Sequence, residues 1–227
     1  MTYRNDLPEI PPRLRSLPVQ NGYPVPWFAA KVDGVFDFRV VDDGKFAIAI
    51  KKQLCWICGQ KLGAYLAFAI GPMCVINRTT SEPPAHRECA EWAAKACPFL
   101  IQRQDVRRES HLPEGVKDAP GFHSPRQPCA VCIYITKSFQ PFKVPTEIRG
   151  AGHGMLIDLG EPVEVLWMRQ GRAATRVEVM ESIDSGYPAL LELAERDGAA
   201  GVRALERLRL AALKLLPQEC TCEVNHD

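Results

Sequence analysis

LCWICGQKLGAYLAFAIGPMCVINRTTSEPPAHRECAEWAAKACPFL, from Leu54 to Leu100, is the densest concentration of metal-binding chemistry in this chain. Cys55 and Cys58 form a C-x2-C pair closed by Gly59, and His86 and Cys89 form an H-x2-C pair where helical composition begins. Two close pairs of thiolate and imidazole donors are how proteins usually assemble a four-ligand structural zinc site. A tight turn relieved by Gly59 aims both sulfurs of the first pair at one point. Positions three apart in the first turn of a helix do the same for the second pair. The helix N-terminus also favours the thiolate form of Cys89.

Two further cysteines fall inside the stretch. Cys97 stands eight residues beyond Cys89, about 12 Å along a continuous helix, so both cannot reach one ion and Cys97 is expected to be a packing residue. Cys74 is the rival ligand, because Met73–Asn77 can return as a strand antiparallel to Ala64–Ile70 and bring it beside the knuckle in place of His86. The helix-start spacing favours His86. A redox C-x-x-C would open a helix after a strand, whereas Gly59 and Lys61–Gly63 form a turn. None of the familiar iron–sulfur spacings is present, so Zn2+ is the expected cofactor.

A C-x2-C-G knuckle, a hairpin, and two ligands in the first turn of a helix, in that order, resemble the treble-clef zinc finger. The resemblance covers about residues 54–100 and implies a small metal-nucleated fold with Cys55, Cys58, His86 and Cys89 as ligands. Treble clefs serve nucleic-acid binding, nuclease chemistry, protein contacts and pure stabilisation, so the fold implies no single activity. The wording CWICG, IGPMC, NR, SEPPAH, ECA and CPFL also resembles a family of uncharacterised bacterial proteins. That resemblance runs from about Pro24 to Leu100, with a looser echo at Val165–Ser182.

The 227 residues are enough to bury a real core, and nine cysteines in a chain without a signal-peptide pattern point to metal ligation in a reducing, cytoplasmic setting. No run reaches the roughly 18 apolar residues that a membrane span requires. Lys and Arg total 28 against 27 Asp and Glu, which excludes broad attraction to phosphate backbones.

Outside the central stretch the expected class is α+β. Prolines at 8, 11, 12, 18, 24 and 26 give residues 1–26 the character of an extended arm. Trp27–Val32 and Val35–Val41 flank Asp33-Gly34, a hairpin signal, and together with the metal site they define an expected zinc-binding lobe at 27–100. Lys45–Gln53 is too short to assign. Residues 101–128 are polar and rich in turn formers, as in a linker or long surface loop. A second lobe is expected at 129–217, with strands at Ala130–Lys137, Met155–Leu159 and Val163–Met168 in a small antiparallel sheet. The glycines from Gly150 to Gly154 make a turn, since the lysine and helix start of a phosphate-binding loop are missing. Thr175-Arg176-Val177-Glu178 is a capping box. It opens a helix to about Ser185, Gly186-Tyr187-Pro188 resets the chain for a second helix ending at Asp197-Gly198, and a last helix carries Val202, Leu205, Leu208, Ala212, Leu215 and Leu216 on one face. Residues 218–227 form a tail in which Cys220 and Cys222 can complete a second site with Cys129 and Cys132.

The leading functional expectation is a non-enzymatic zinc protein presenting a surface to a protein or nucleic-acid partner, with Asn77, Arg78, Arg87 and Glu88 flanking the site. The alternative is a metal-dependent nuclease of treble-clef type, which needs a histidine base where this chain has none between Cys58 and His86. His111, His123 and His153 read as loop residues. A cysteine nucleophile at Cys74 is the third possibility.

Overall fold

A computed structural model describes residues 2–42, 44–101, 129–144 and 154–218. The proline-rich segment is not an extended lead-in. It makes a 3-10 turn at Pro12–Leu14 and a short antiparallel pair, β1 (Val19–Gln20) with β2 (Tyr23–Pro24). Leu14 is 0% exposed and Val25 2%, so the segment is built into the core. The prolines permit this, because they bring no amide that burial would leave unpartnered.

The expected hairpin is present as β3 (Ala29–Val32) and β4 (Val35–Val41). Asp33 and Gly34 both take positive φ, 51° and 83°, the pair of left-handed residues that matches strand twist. Lys45–Lys52 forms helix α1, which buries Phe46 and Ala49 on one face and ends at left-handed Gln53.

Next comes β5 (Leu66–Ile70), but the segment after it does not return as a strand. Pro72–Asn77 is a helix, α2, with Pro72 at a first-turn position, where its fixed φ suits the helix and its missing amide costs nothing. Pro72, Val75 and Ile76 are buried, a helical spacing that an apolar run this short cannot distinguish from a strand. The chain continues through β6 (Thr79–Thr80), α3 (Arg87–Ala96) and a single turn, α4 (Pro98–Ile101). The expected linker lies almost wholly outside the described residues.

Beyond it are β7 (Val131–Thr136), β8 (Phe139–Lys143), β9 (Met155–Leu159), β10 (Pro162–Arg169) and the two-residue β11 (Arg172–Ala173). One antiparallel sheet has the order β11-β10-β7-β5, and a second has the order β6-β9-β8. The class is therefore mixed helix and antiparallel sheet, as expected, but strands are shared across the anticipated lobes. β5 pairs along its whole length with β7, from Leu66 opposite Thr136 to Ile70 opposite Cys132. β6 likewise pairs with β9. All six residues of β7 are buried, as a strand covered on both faces requires. β8 escaped the sequence reading because Pro141 interrupts it, and proline is tolerated there because β8 is an edge strand.

The capping box forms, with the Glu178 amide donating to Thr175 Oγ1 at 3.3 Å and the Thr175 amide to Glu178 Oε2 at 2.9 Å. The helix it starts, α5 (Arg176–Arg196), runs straight through Gly186-Tyr187-Pro188 and replaces the two helices expected there. Gly186 acts as a contact rather than a breaker: a Cβ there would sit 3.0 Å from Met73 Cγ and Sδ on α2. Ile183 and Leu190, buried on either side, hold the helix to the core across the proline. The last helix, α6 (Gly198–Leu213), buries Leu205 and Ala212. Trp167 Nε1 donates to the Leu215 carbonyl at 2.8 Å and ties the end of the helix to β10. One contiguous buried cluster joins Leu14, Trp56 and Cys89 to Ile133, Ile183 and Leu205, so the segments 27–100 and 129–217 share a core.

Arg172 grips Glu178 with two nitrogens, at 2.6 and 2.9 Å. Those hydrogen bonds, with the Thr175 amide, hold the Glu178 carboxyl at about 2, below its usual 4.5. A depressed acid stabilises the fold fully above the unfolded value and loses that contribution as pH falls through the folded one. In urea titrations the gap between wild type and Glu178→Gln is therefore expected to be full above pH 4.5 and to close toward pH 2. A gap constant across that window would show that the carboxylate charge does not matter.

Candidate metal centre

The two ligand pairs lie on separate elements that the backbone stitches together. After α1, the knuckle closes with the Cys55 amide donating to the Gln60 carbonyl at 2.7 Å and the Gly59 amide to the Cys55 carbonyl at 2.8 Å. Gly59 has φ +72°, and a Cβ there would fall 2.5 Å from Trp27 Cδ1, so both backbone angle and packing demand glycine. Residues 84 and 85 carry the second pair to the knuckle. The Trp56 amide donates to the Pro84 carbonyl at 3.0 Å, and Ala85 exchanges two backbone hydrogen bonds with Ala67 of β5, at 2.7 and 2.9 Å. His86, extended, then caps α3, and Cys89 occupies its first turn.

The result is a cluster in which the ligand atoms of Cys55, Cys58, His86 and Cys89 all lie within 4.8 Å of one another. His86 Nδ1 is 3.3 Å from Cys58 Sγ and 4.0 Å from Cys89 Sγ. A tetrahedral ion with metal–sulfur bonds of about 2.3 Å and metal–nitrogen bonds of about 2.0 Å spaces its ligands by about 3.5–3.8 Å, so the donor set fits a metal ion. Cys55 and Cys89 are 0% exposed and Cys58 6%, which encloses three of the four donors.

The surroundings orient these donors. Cys55 Sγ accepts from the amides of Cys58 at 3.4 Å and His86 at 3.3 Å. His86 Nε2 lies 2.9 Å from the Lys61 carbonyl. That contact assigns the ring proton to Nε2 and leaves the Nδ1 lone pair facing the sulfurs. Hydrogen bonds from Cys58 and Cys89 drive the Cys55 thiol far below its usual range. The same contact with Cys55 raises Cys58, Cys89 and His86. A divalent cation would hold all three sulfurs deprotonated.

Cys74 is not in the cluster. Its position on α2 follows from the helix that replaces the expected return strand, and desolvation raises its thiol. Cys97 caps the end of α3, with its thiol raised by burial. Of the anticipated second site, Cys132 is 0% exposed within β7, and burial raises its thiol. Cys220 and Cys222 lie outside the described residues. Among the described residues the four-residue group is the one cluster of this kind. His111, His123 and His153 are also outside them, as is the glycine turn from 150 to 153.

The flanking residues meet partners within the chain. Arg78 pairs with Glu161 and donates to the Leu159 carbonyl at 2.9 Å. Arg87 pairs with Glu91 at 2.6 Å and Glu164 at 2.7 Å, and Glu88 with Arg13 at 2.6 Å. Arg13 and Trp27 belong to the site's surroundings without having been anticipated, since their contacts bridge long stretches of chain that no local pattern links.

No protein-family model, curated protein or solved structure matches this chain. No described helix is long and apolar enough to cross a membrane.

Proposed function

We propose that Cys55, Cys58, His86 and Cys89 hold a structural Zn2+ ion in a non-enzymatic protein whose metal-bearing region presents a surface to a partner. The observation that carries this reading is the convergence of four protein donors, three of them enclosed, which fills a tetrahedral shell and leaves no position for water or substrate. Three soft thiolates with one imidazole favour zinc among the common divalent ions. We read the knuckle and α3 as treble-clef-like, with β7 taking the place of the hairpin partner of β5.

A protein partner suits the surface better than a nucleic acid. The chain carries one net positive charge, and Arg13, Arg78 and Arg87 near the site are neutralised by carboxylates. The nuclease alternative needs a histidine base apart from the ligands, and none of the described residues supplies one.

Native mass spectrometry of the full chain tests the metal assignment. Wild type and Cys74→Ser are each expected to carry one zinc per chain, and Cys89→Ser none. Zinc lost from Cys74→Ser and retained in Cys89→Ser would reverse the ligand set.

A further inference from the structure

We propose that the proline-rich segment is a metal-dependent clasp, with Arg13 and Trp27 as positioning residues that fasten both ligand pairs in register. The inference rests on the structural-zinc reading. Arg13 bonds both halves of the site at once. Its Nε lies 2.6 Å from Glu88 Oε1, on the residue before Cys89, and its Nη1 lies 2.8 Å from Gln60 Oε1, in the knuckle. The Gln60 carbonyl in turn accepts the Cys55 amide. Trp27 grips the knuckle independently, donating its amide to the Ile57 carbonyl at 2.7 Å and packing its ring into the space that Gly59 leaves open. Further along α3, Trp92 Nε1 donates to the Pro8 carbonyl at 3.4 Å. Between these fasteners Leu14 sits fully buried beside the site's own core residues.

The physical consequence is linkage. The segment touches two elements, the knuckle and α3, and an ion bonded to both holds them at the separation that Arg13 spans. If segment contacts strengthen metal binding by some factor, metal binding must strengthen segment docking by the same factor. Partners bonded directly to metal ligands are worth about 10- to 100-fold in affinity. Arg13 acts one bond further out and its side chain is 41% exposed, so its contribution is smaller. About five-fold is the expected size, near the upper end of what exposed ion pairs supply.

The full-length protein tests this in two measurements. The first is trypsin digestion in saturating zinc and after chelation, following cleavage at Arg13 and Arg15 against Arg203 and Arg207 in α6 as an internal reference. Chelation is expected to speed cleavage at Arg13 and Arg15 about five-fold more than at the α6 sites, because loss of the ion's global stabilisation acts on every site and the clasp adds its linkage factor only at its own. The second is competition with a chromophoric chelator, in which Arg13→Ala and Glu88→Gln each weaken zinc about five-fold with stoichiometry still one, and the double variant weakens it no further than either alone. Cleavage at Arg15 that is indifferent to zinc in a protein holding one ion overturns the clasp and leaves the structural site standing. Equal acceleration at all sites also overturns it, as global unfolding. Failure of the wild type to take up zinc overturns both readings.

Discussion

Cys55→Ser is expected to abolish tight metal binding and to cost the protein the whole of its zinc-dependent stability. Cys55 is 0% exposed, belongs to the four-residue donor cluster and accepts the Cys58 and His86 amides. A serine oxygen is harder and sits on a shorter bond, so it replaces neither role well. An ion that binds the folded chain and not the unfolded one adds about 4 kcal/mol at a free concentration a thousand times Kd. For a chain of this size each kcal/mol moves Tm by about 2–4 °C, so wild type in buffered zinc should melt about 8–16 °C above its chelated form. Cys55→Ser should melt at one temperature in both conditions. Cys97→Ser, which alters a half-buried thiol outside the cluster, is the control and should keep the zinc-dependent rise. A wild-type melting curve that ignores zinc would remove the structural role.

The second large effect is expected from Phe68→Ala, at a cost of about 3–5 kcal/mol. Phe68 is 2% exposed in the middle of β5, directly opposite Tyr134 of β7, and its ring meets Phe139 edge-on with centroids 6.1 Å apart. The substitution leaves a cavity where strands from distant parts of the chain meet. If the segments 27–100 and 129–217 share one core, the variant unfolds in one transition, with Tm lowered by about 6–20 °C. Two transitions, with only the first shifted, would instead show that the segments fold as separate lobes.

Local chemistry was readable wherever a few neighbouring residues settle a conformation. Asp33-Gly34 specifies its turn because two successive positive φ angles are cheap there, and Thr175 with Glu178 specifies a helix start because both donors lie within one turn. The ligand pairs belong to the same class. Where the reading failed, short runs were ambiguous or a distant contact changed their meaning. Met73–Asn77 is apolar enough for a strand, but Pro72 and the burial of Val75 and Ile76 make it a helix. Gly186 reads as a break in isolation, and only its contact with Met73 shows why α5 needs it. Pro12 and its neighbours look like the mark of an unpacked arm until Leu14 is found in the core.

The stretch from Leu54 to Leu100 shows both sides of this division. Its donor types and their spacings are written in the chain, because two residues in a tight turn or three in a helical turn place side chains on one side whatever surrounds them. That His86 rather than Cys74 completes the set followed from folding. Trp56 and Ala67 bond the backbone at Pro84 and Ala85, which brings the start of α3 to the knuckle, while Cys74 leaves on α2. The partner of β5, the burial of Leu14 and the reach of Arg13 across both ligand pairs were likewise settled in three dimensions. Contacts between residues dozens of positions apart depend on the packing of the whole core, and no local pattern encodes them.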